Sequence, residues 1–243
     1  MNLLERYFER LKRMNETVKK IESVSSISSV PNTRPQVKEV LAPSELVIIA
    51  GPNGAGKSTT SDDLLFDLNI KSFDFDKEFY SSWAKYDYDP MVENGVKESV
   101  GELFEQRKRG AIASGAPFSF ETNYHSDEIL KTLTEFKAAG FFTELIFIIL
   151  ETPEMAIGRV VDRASKGGHF VDEETIRRRF FDGLELLNST FLQYNAISIY
   201  VSLPYQIESA LLIEVGSNKA ELLGNIPEQV DIHLPKLKLF KES

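Results

Sequence analysis

A three-layer α/β fold, with a mostly parallel sheet and helices on both faces, is predicted by three observations. Apolar runs of strand length alternate with longer stretches of helical period, the pattern of repeated strand–helix units. The first such run, Leu46-Val47-Ile48-Ile49-Ala50, passes directly into a glycine-rich turn and then into a helical segment. Runs such as Leu145-Ile146-Phe147-Ile148-Ile149-Leu150 are apolar throughout, as strands covered on both faces must be.

The chain has 243 residues, 42% hydrophobic and 11% aromatic, which supports one folded α/β domain plus an appendage. It contains no cysteine, so disulfides, thiol catalysis and cysteine metal sites are excluded, and a reducing cytoplasmic setting is expected. No 18-residue apolar run occurs, and Glu5 comes too early for a secretory leader, so no membrane association is expected. The net charge of −9 argues against broad nucleic-acid binding and points to a small or locally read substrate.

In chain order, residues 2–23 predict an amphipathic helix, because Leu4, Tyr7, Leu11, Met14, Val18 and Ile21 keep one stripe by steps of three and four. That stripe suits docking on the chain's own domain, or self-association or a protein partner. Ser23–Gln36, rich in Ser with Pro31 and Pro35, reads as a linker. The expected division is therefore residues 1–42 as helix plus linker, and 43–243 as the main domain. Glu45–Ala50 is the first, central strand and Lys57–Leu68 its helix. Ile70–Asp76 looks like a second strand, with Asp74 and Asp76 on one face at its C-terminal end, where open α/β sheets place ligands. Glu78–Asp89 is dense in aromatics that suit either a substrate wall or local core. Met91–Ala113 reads as helix, Phe118–Thr122 as a short strand, and Ser126–Ala139 as a helix capped by Ser126 and stopped by Gly140.

Glu144–Leu150 reads as another buried strand, and Pro153–Lys166 as a helix with Pro153 in its first turn. Gly167-Gly168-His169 interrupts before a second helix over Asp172–Leu192. From 159 to 179, Arg159, Arg163, Lys166 and Arg177 to Arg179 outnumber Asp162, Asp172, Glu173 and Glu174, a locally basic stretch in an acidic chain. On the second helix Ile176, Phe180, Leu184, Leu187 and Phe191 form the buried stripe. Arg178 points away from it, free to reach a ligand. Ile197–Leu203 is a further strand, and the tail holds another apolar run, Ala210–Val215.

The turn Gly51-Pro52-Asn53-Gly54-Ala55-Gly56-Lys57-Ser58-Thr59 fits the phosphate-loop pattern completely and sits between strand and helix, its confirming context. Its backbone N–H groups can wrap a phosphate at the helix N-terminus, Lys57 would reach the β- and γ-phosphates, and Ser58 would hold Mg²⁺. ATP and Mg²⁺ are thus the expected ligands. A transport-type ATPase would add Leu-Ser-Gly-Gly-Gln and a strand ending in Asp-Glu, and a switch GTPase would add Asn-Lys-x-Asp; all are absent. A kinase needs Mg²⁺, a carboxylate for the acceptor's proton and cations for developing charge. Asp76 supplies the carboxylate, Asp74 or Ser58 the metal shell, and the Arg-rich stretch (about 159–179) the cations and a lid. The competing expectation is a nucleotide-gated binding protein with little turnover.

At these residues the chain resembles the zeta-toxin kinases. The resemblance rests on Gly51–Thr59, Asp74-Phe75-Asp76, Phe120-Glu121-Thr122, and Arg159-Val160-x-x-Arg163-x-x-x-Gly167-Gly168-His169-x-Val171 followed by Ile176-Arg177-Arg178-Arg179-Phe180. It implies a kinase-like phosphate-loop fold and ATP-dependent phosphorylation of a sugar nucleotide, UDP-N-acetylglucosamine, with an antitoxin partner in the toxin members. By position it implies Asp76 as catalytic base, Lys57 as the phosphate-loop lysine, and Glu121 and Thr122 as substrate contacts. It also implies Arg159 or Arg163, with Arg178 and His169, as catalytic lid residues. Many relatives carry Asp-Asn after the late strand's Tyr, whereas Tyr200 here is followed by Val201-Ser202-Leu203.

Overall fold

A computed structural model describes residues 2–23, 44–167 and 170–242. The Ser/Pro-rich connection, and Gly168 with His169, lie outside the described residues. Six strands form one sheet: β1 (Glu45–Ala50), β2 (Phe118–Thr122), β3 (Phe142–Ile149), β4 (Ala196–Ser202), β5 (Ile207–Glu214) and β6 (Lys219–Leu222). Their order is β2-β1-β3-β4-β5-β6, with the first four parallel and the last two antiparallel. Every residue of β1 is buried, which is why its sequence is apolar without alternation. The carboxyl ends of β1 and β2 lie together, Ala50 beside Thr122, and open toward the phosphate loop.

The helices are α1 (Leu3–Ser23), α2 (Lys57–Leu64), α3 (Phe75–Trp83), α4 (Glu93–Ser114), α5 (Glu128–Ala138), α6 (Pro153–Ser165), α7 (Glu173–Thr190), α8 (Glu228–Asp231) and α9 (Pro235–Glu242). Side chains three apart on a strand face opposite ways. Arg10 of α1 meets Glu144 on β3, while Gly183 of α7 packs against Phe147 three residues on, so helices cover both faces.

The α1 stripe is buried. Tyr7 and Met14 are fully enclosed, and the Tyr7 ring stacks on Tyr200 at 4.4 Å. The β4–β5 register shifts between Ile199 and Tyr200, which leaves two backbone groups unpaired there. The Tyr7 hydroxyl serves both, donating to the Ile199 carbonyl at 2.6 Å and accepting from the Ala210 N–H at 2.9 Å. Arg10, wholly buried, donates to Glu144 Oε1 at 2.6 Å, and Arg6 pairs with Glu45 at 2.7 Å. Burial would raise the Glu144 carboxyl, but Arg10 and Arg6 overcome that and hold it well below the usual carboxylate range.

One expected strand is corrected. Between Ile70 and Asp76 only Phe73 joins the sheet, as a single parallel bridge to Phe120, with its N–H 2.8 Å from the Ser119 carbonyl. Asp74 then caps α3 by accepting from the Lys77 N–H at 3.0 Å, and Asp76 lies in the first helical turn. An acid at the cap and another in the first turn suit the helix dipole, and that preference outweighs a two-period alternation. Smaller differences lie at ends: α2 stops at Leu64, and α5 begins at Glu128, after Ser126 accepts its N–H at 3.3 Å.

Candidate active site

The loop after β1 is shaped by two glycines with positive φ. At Gly51 (φ 145°) a Cβ would stand 2.3 Å from the Ile148 carbonyl oxygen, so only glycine lets the loop lie against β3. At Gly54 (φ 78°) a Cβ would crowd the Ala156 carbonyl and Arg159 Cβ at 3.1 Å, which fixes the loop against α6. The loop then enters α2 at Lys57 with its first N–H groups exposed to a cleft of about 1470 Å³.

Asn53, Gly54, Gly56, Lys57, Ser58 and Thr59 line this cleft. Gly51, Pro52 and Ala55 of the expected nucleotide-binding set are buried behind them. The Lys57 ammonium donates to the Gly51 and Pro52 carbonyls at 2.8 and 3.0 Å and to Asn123 Oδ1 at 3.0 Å. Burial lowers it to about 8, against the pull of Glu121, Asp76 and Asp74. Ser58 Oγ lies 2.7 Å from both Asp74 Oδ2 and Glu121 Oε2. Burial raises the Glu121 carboxyl to about 7, although its Ser58 contact opposes this. Asp76 is exposed on the cleft wall.

Thr122 also lines the cleft, its hydroxyl accepting from the Tyr124 N–H at 3.0 Å. Glu121, expected at the acceptor, lines the cleft with its carboxylate against Ser58 of the phosphate loop. Beyond β2 the cleft continues between α4 and α5 past Phe75, Phe104, Ile129 and Lys108. Lys108 is 2% exposed and held by Glu105 and Glu135 at 2.7 Å each.

The basic stretch divides. Arg163 lines the cleft, within electrostatic reach of Lys57. Arg159 borders it too, but its guanidinium is taken up by the Gly54 carbonyl at 3.1 Å, Ser202 Oγ at 2.8 Å and the Leu203 carbonyl at 2.7 Å. Its geometry is that of a strut tying the phosphate loop to the end of β4, not of a free catalytic cation. Arg178 corrects the expectation: it is exposed and does not line the cleft, whereas Arg179 does, with Nε enclosed and without a hydrogen-bond partner. At roughly 100° per residue, Arg178 stands opposite the Ile176–Phe180–Leu187 stripe and meets solvent. Arg179 stands roughly 90° to one side, the flank that borders the cleft. Arg177 pairs with Glu154 of α6 at 2.5 Å.

Asn123, His125, Lys108 and Arg179 line the cleft without having been singled out in the sequence. Asn123 and His125 follow the strand ending in Glu121-Thr122, so the strand-end rule could have found them. Lys108 lies mid-helix with no local signal. Burial, then the nearby Arg179, lowers the His125 imidazole below its ordinary value.

Sheet order and loop define a phosphate-loop α/β protein of kinase-like build. Residues 32–202 match the zeta toxin family, and the chain belongs to that family. It is 24% identical over 139 residues to an uncharacterized Haemophilus influenzae protein, covering 55% of this chain and 91% of the other. Its fold is similar to a structure from the PezAT chromosomal toxin-antitoxin system of Streptococcus pneumoniae, with TM-score 0.57, 16% identity, and 96% and 97% of the two chains covered. It is also similar to the AvrRxo1-ORF1:-ORF2 structure with ATP, with TM-score 0.53, 13% identity, and 98% and 70% covered.

Proposed function

We propose that this chain is an ATP- and Mg²⁺-dependent kinase that phosphorylates a hydroxyl of a sugar nucleotide such as UDP-N-acetylglucosamine. One observation carries the reading: a single cleft holds the phosphate loop, the exposed carboxylate of Asp76 and the cations Arg163 and Arg179. Phosphoryl transfer asks for that set and little more, since catalysis there is positioning and charge stabilisation.

The loop N–H groups and Lys57 bind the β- and γ-phosphates, and the ammonium exchanges its carbonyl partners for phosphate oxygens. Ser58 Oγ and Asp74 Oδ2, 2.7 Å apart, are hard oxygen donors that fit Mg²⁺, and both would hold it. The bound ion would neutralise phosphate charge as transfer proceeds. Asp76 orients the acceptor hydroxyl and takes its proton as the new O–P bond forms. The bond from the γ-phosphorus to the bridging oxygen breaks, and ADP leaves. Arg163 and Arg179 meet the charge spread over the equatorial oxygens.

Thr122, Phe75 and the inner half of the cleft border the acceptor side, with apolar walls for a base or sugar face and polar groups to orient it. The pneumococcal relative comes from a toxin-antitoxin system, which supports an antitoxin as this chain's protein partner. No described helix is long and apolar enough to cross a membrane.

Incubating the full chain with Mg-ATP and a panel of sugar nucleotides tests the reading. ADP release matched by a product heavier by one phosphate is expected. ATP binding with no product from any acceptor would replace the kinase by a nucleotide-gated binding protein.

A further inference from the structure

Asn123 stands just past the end of β2, on the cleft wall, with its Oδ1 3.0 Å from the Lys57 ammonium. An ammonium only donates, so the atom that faces it must be the amide oxygen, and this fixes which way the amide is turned. The side-chain N–H₂ then faces away from Lys57, and no described residue accepts from it. Two donors on the cleft wall are left for a ligand.

The turn that carries this side chain is braced from two sides. Tyr124, next in the chain, is wholly buried at φ 57°, a left-handed conformation that a bulky residue keeps only where its surroundings impose it. Its hydroxyl lies 2.9 Å from both Thr190 Oγ1 and the Tyr194 hydroxyl, and its ring meets Phe147 edge-on. From the other side α7 closes in through Gly183, where a Cβ would stand 3.2 Å from the Asn123 carbonyl oxygen. Backbone strain and a packed helix therefore set the place of Asn123, as suits a group that must meet its ligand in one geometry.

The partners of Lys57 indicate which ligand that is. Its three protons go to the Gly51 and Pro52 carbonyls and to Asn123. Phosphate oxygens would displace the two loop carbonyls, while Asn123, anchored from outside the loop, keeps its share. A phosphate oxygen held by Lys57 then stands beside the Asn123 amide. The loop N–H groups already wrap the inner phosphates. On its far edge β2 is bridged by Phe73, the residue before Asp74, so Asn123 lies toward the acceptor side of the loop. The phosphate on that side is the terminal one.

We propose that Asn123 reads the γ-phosphate: its amide oxygen retains Lys57 while its amide N–H donates to a γ-phosphoryl oxygen. One side chain thereby holds both the loop lysine and the group to be transferred. The assignment rests on the cleft being a nucleotide site.

The test titrates the full chain, by calorimetry, with Mg-ADP and with Mg-β,γ-imido-ATP, whose γ-phosphate is not transferred. Asn123→Ala should weaken imido-ATP by about 10-fold or more, leave ADP within about 3-fold, and keep the melting curve near wild type. Asn123→Asp separates the two halves of the amide, because it keeps an oxygen toward Lys57 but has no N–H to give. It should lose at least as much of the preference for imido-ATP over ADP, and it decides alone if Asn123→Ala does not fold. Equal losses for the two nucleotides, or no loss, would overturn the proposal, as would a wild-type affinity ratio in Asn123→Asp. A wild-type chain that shows the expected contrast with its variants but phosphorylates no acceptor would refute the kinase reading and leave this one standing. A wild-type chain that binds neither nucleotide would remove both.

Discussion

At the scale of single residues, the chemistry depends on where a few side chains end. Lys57 reaches the loop carbonyls because the loop folds back over it, so Lys57→Ala removes charge without removing shape. Turnover should fall by roughly 10² or more with the melting temperature nearly kept, checked by steady-state kinetics beside calorimetry. Asp76→Asn should keep ATP binding and lose transfer, whereas Asp74→Asn should shift the Mg²⁺ requirement. Exchanged phenotypes would move the base to Asp74. The arginines make a sharper contrast. Arg179→Ala should lower kcat by about 10²-fold or more, since arginines that meet transferring phosphate contribute ~10³–10⁵ elsewhere. Arg178→Ala, at an exposed site off the cleft, should stay within about 3-fold of wild type. Equal losses at both would return the role to a diffuse basic face.

Elements decide which of those residues can meet. Asp74 and Asp76 share the cleft because a helix starts between them, not because a strand alternates. At the other end of the molecule, α1 supplies the hydroxyl that completes the irregular β4–β5 pairing. Tyr7→Phe keeps the ring stacked on Tyr200 but strands the Ala210 N–H and the Ile199 carbonyl. The expected cost is about 1–3 kcal/mol, read from urea unfolding; a loss below ~0.5 kcal/mol would show that the hydroxyl is dispensable. Deleting residues 1–36 removes Tyr7, Met14 and Arg10 together and uncovers the sheet face and the Glu144 carboxylate that they enclose. An unfolded or insoluble product is expected, since the apolar face that α1 covers would meet water. A soluble, ATP-binding product would make α1 a detachable element with a partner of its own.

For the whole molecule, the Arg6–Arg10–Glu144–Glu45 network joins α1 to β1 and β3, and Ser198 of β4 donates to Glu144 at 2.8 Å. The Glu144 carboxyl is lowered on folding, so the unfolded chain binds its proton more readily. Its contribution to stability is then fully present above its unfolded value and is lost as pH falls through the acid range. Glu45 works the other way, because burial and the neighbouring Glu144 raise it. Glu144→Gln should therefore lower stability at neutral pH while flattening the acid limb of stability against pH. A variant with an unchanged acid limb would show that other carboxylates set acid unfolding. Arg159 has a comparable reach at the carboxyl end of β4, tying the phosphate loop to Ser202 and Leu203.

The sequence by itself determined the α/β class, the strand–loop–helix of the phosphate-loop pattern, and four of the six strands among the described residues, because apolar runs and glycine spacing are local signals. It also pointed to Lys57, Ser58 and Thr122, which share one cleft, since motif and strand-end position are written in neighbouring residues; Asp74 and Asp76 share that cleft too, but through a helix start and not the strand the alternation suggested. Tertiary structure decided the rest. Arg179 rather than Arg178 lines the cleft because the ligand space borders the flank of α7, and only packing sets which flank that is. Glu121 turns to Ser58 because β2 lies directly beside β1, a neighbour 63 positions away in the chain. Arg159 became a strut because β4 ends beneath it. Lys108 entered the cleft because α4 crosses the far side of β2. Contacts between distant segments leave no periodicity in the sequence, and no local pattern announces them.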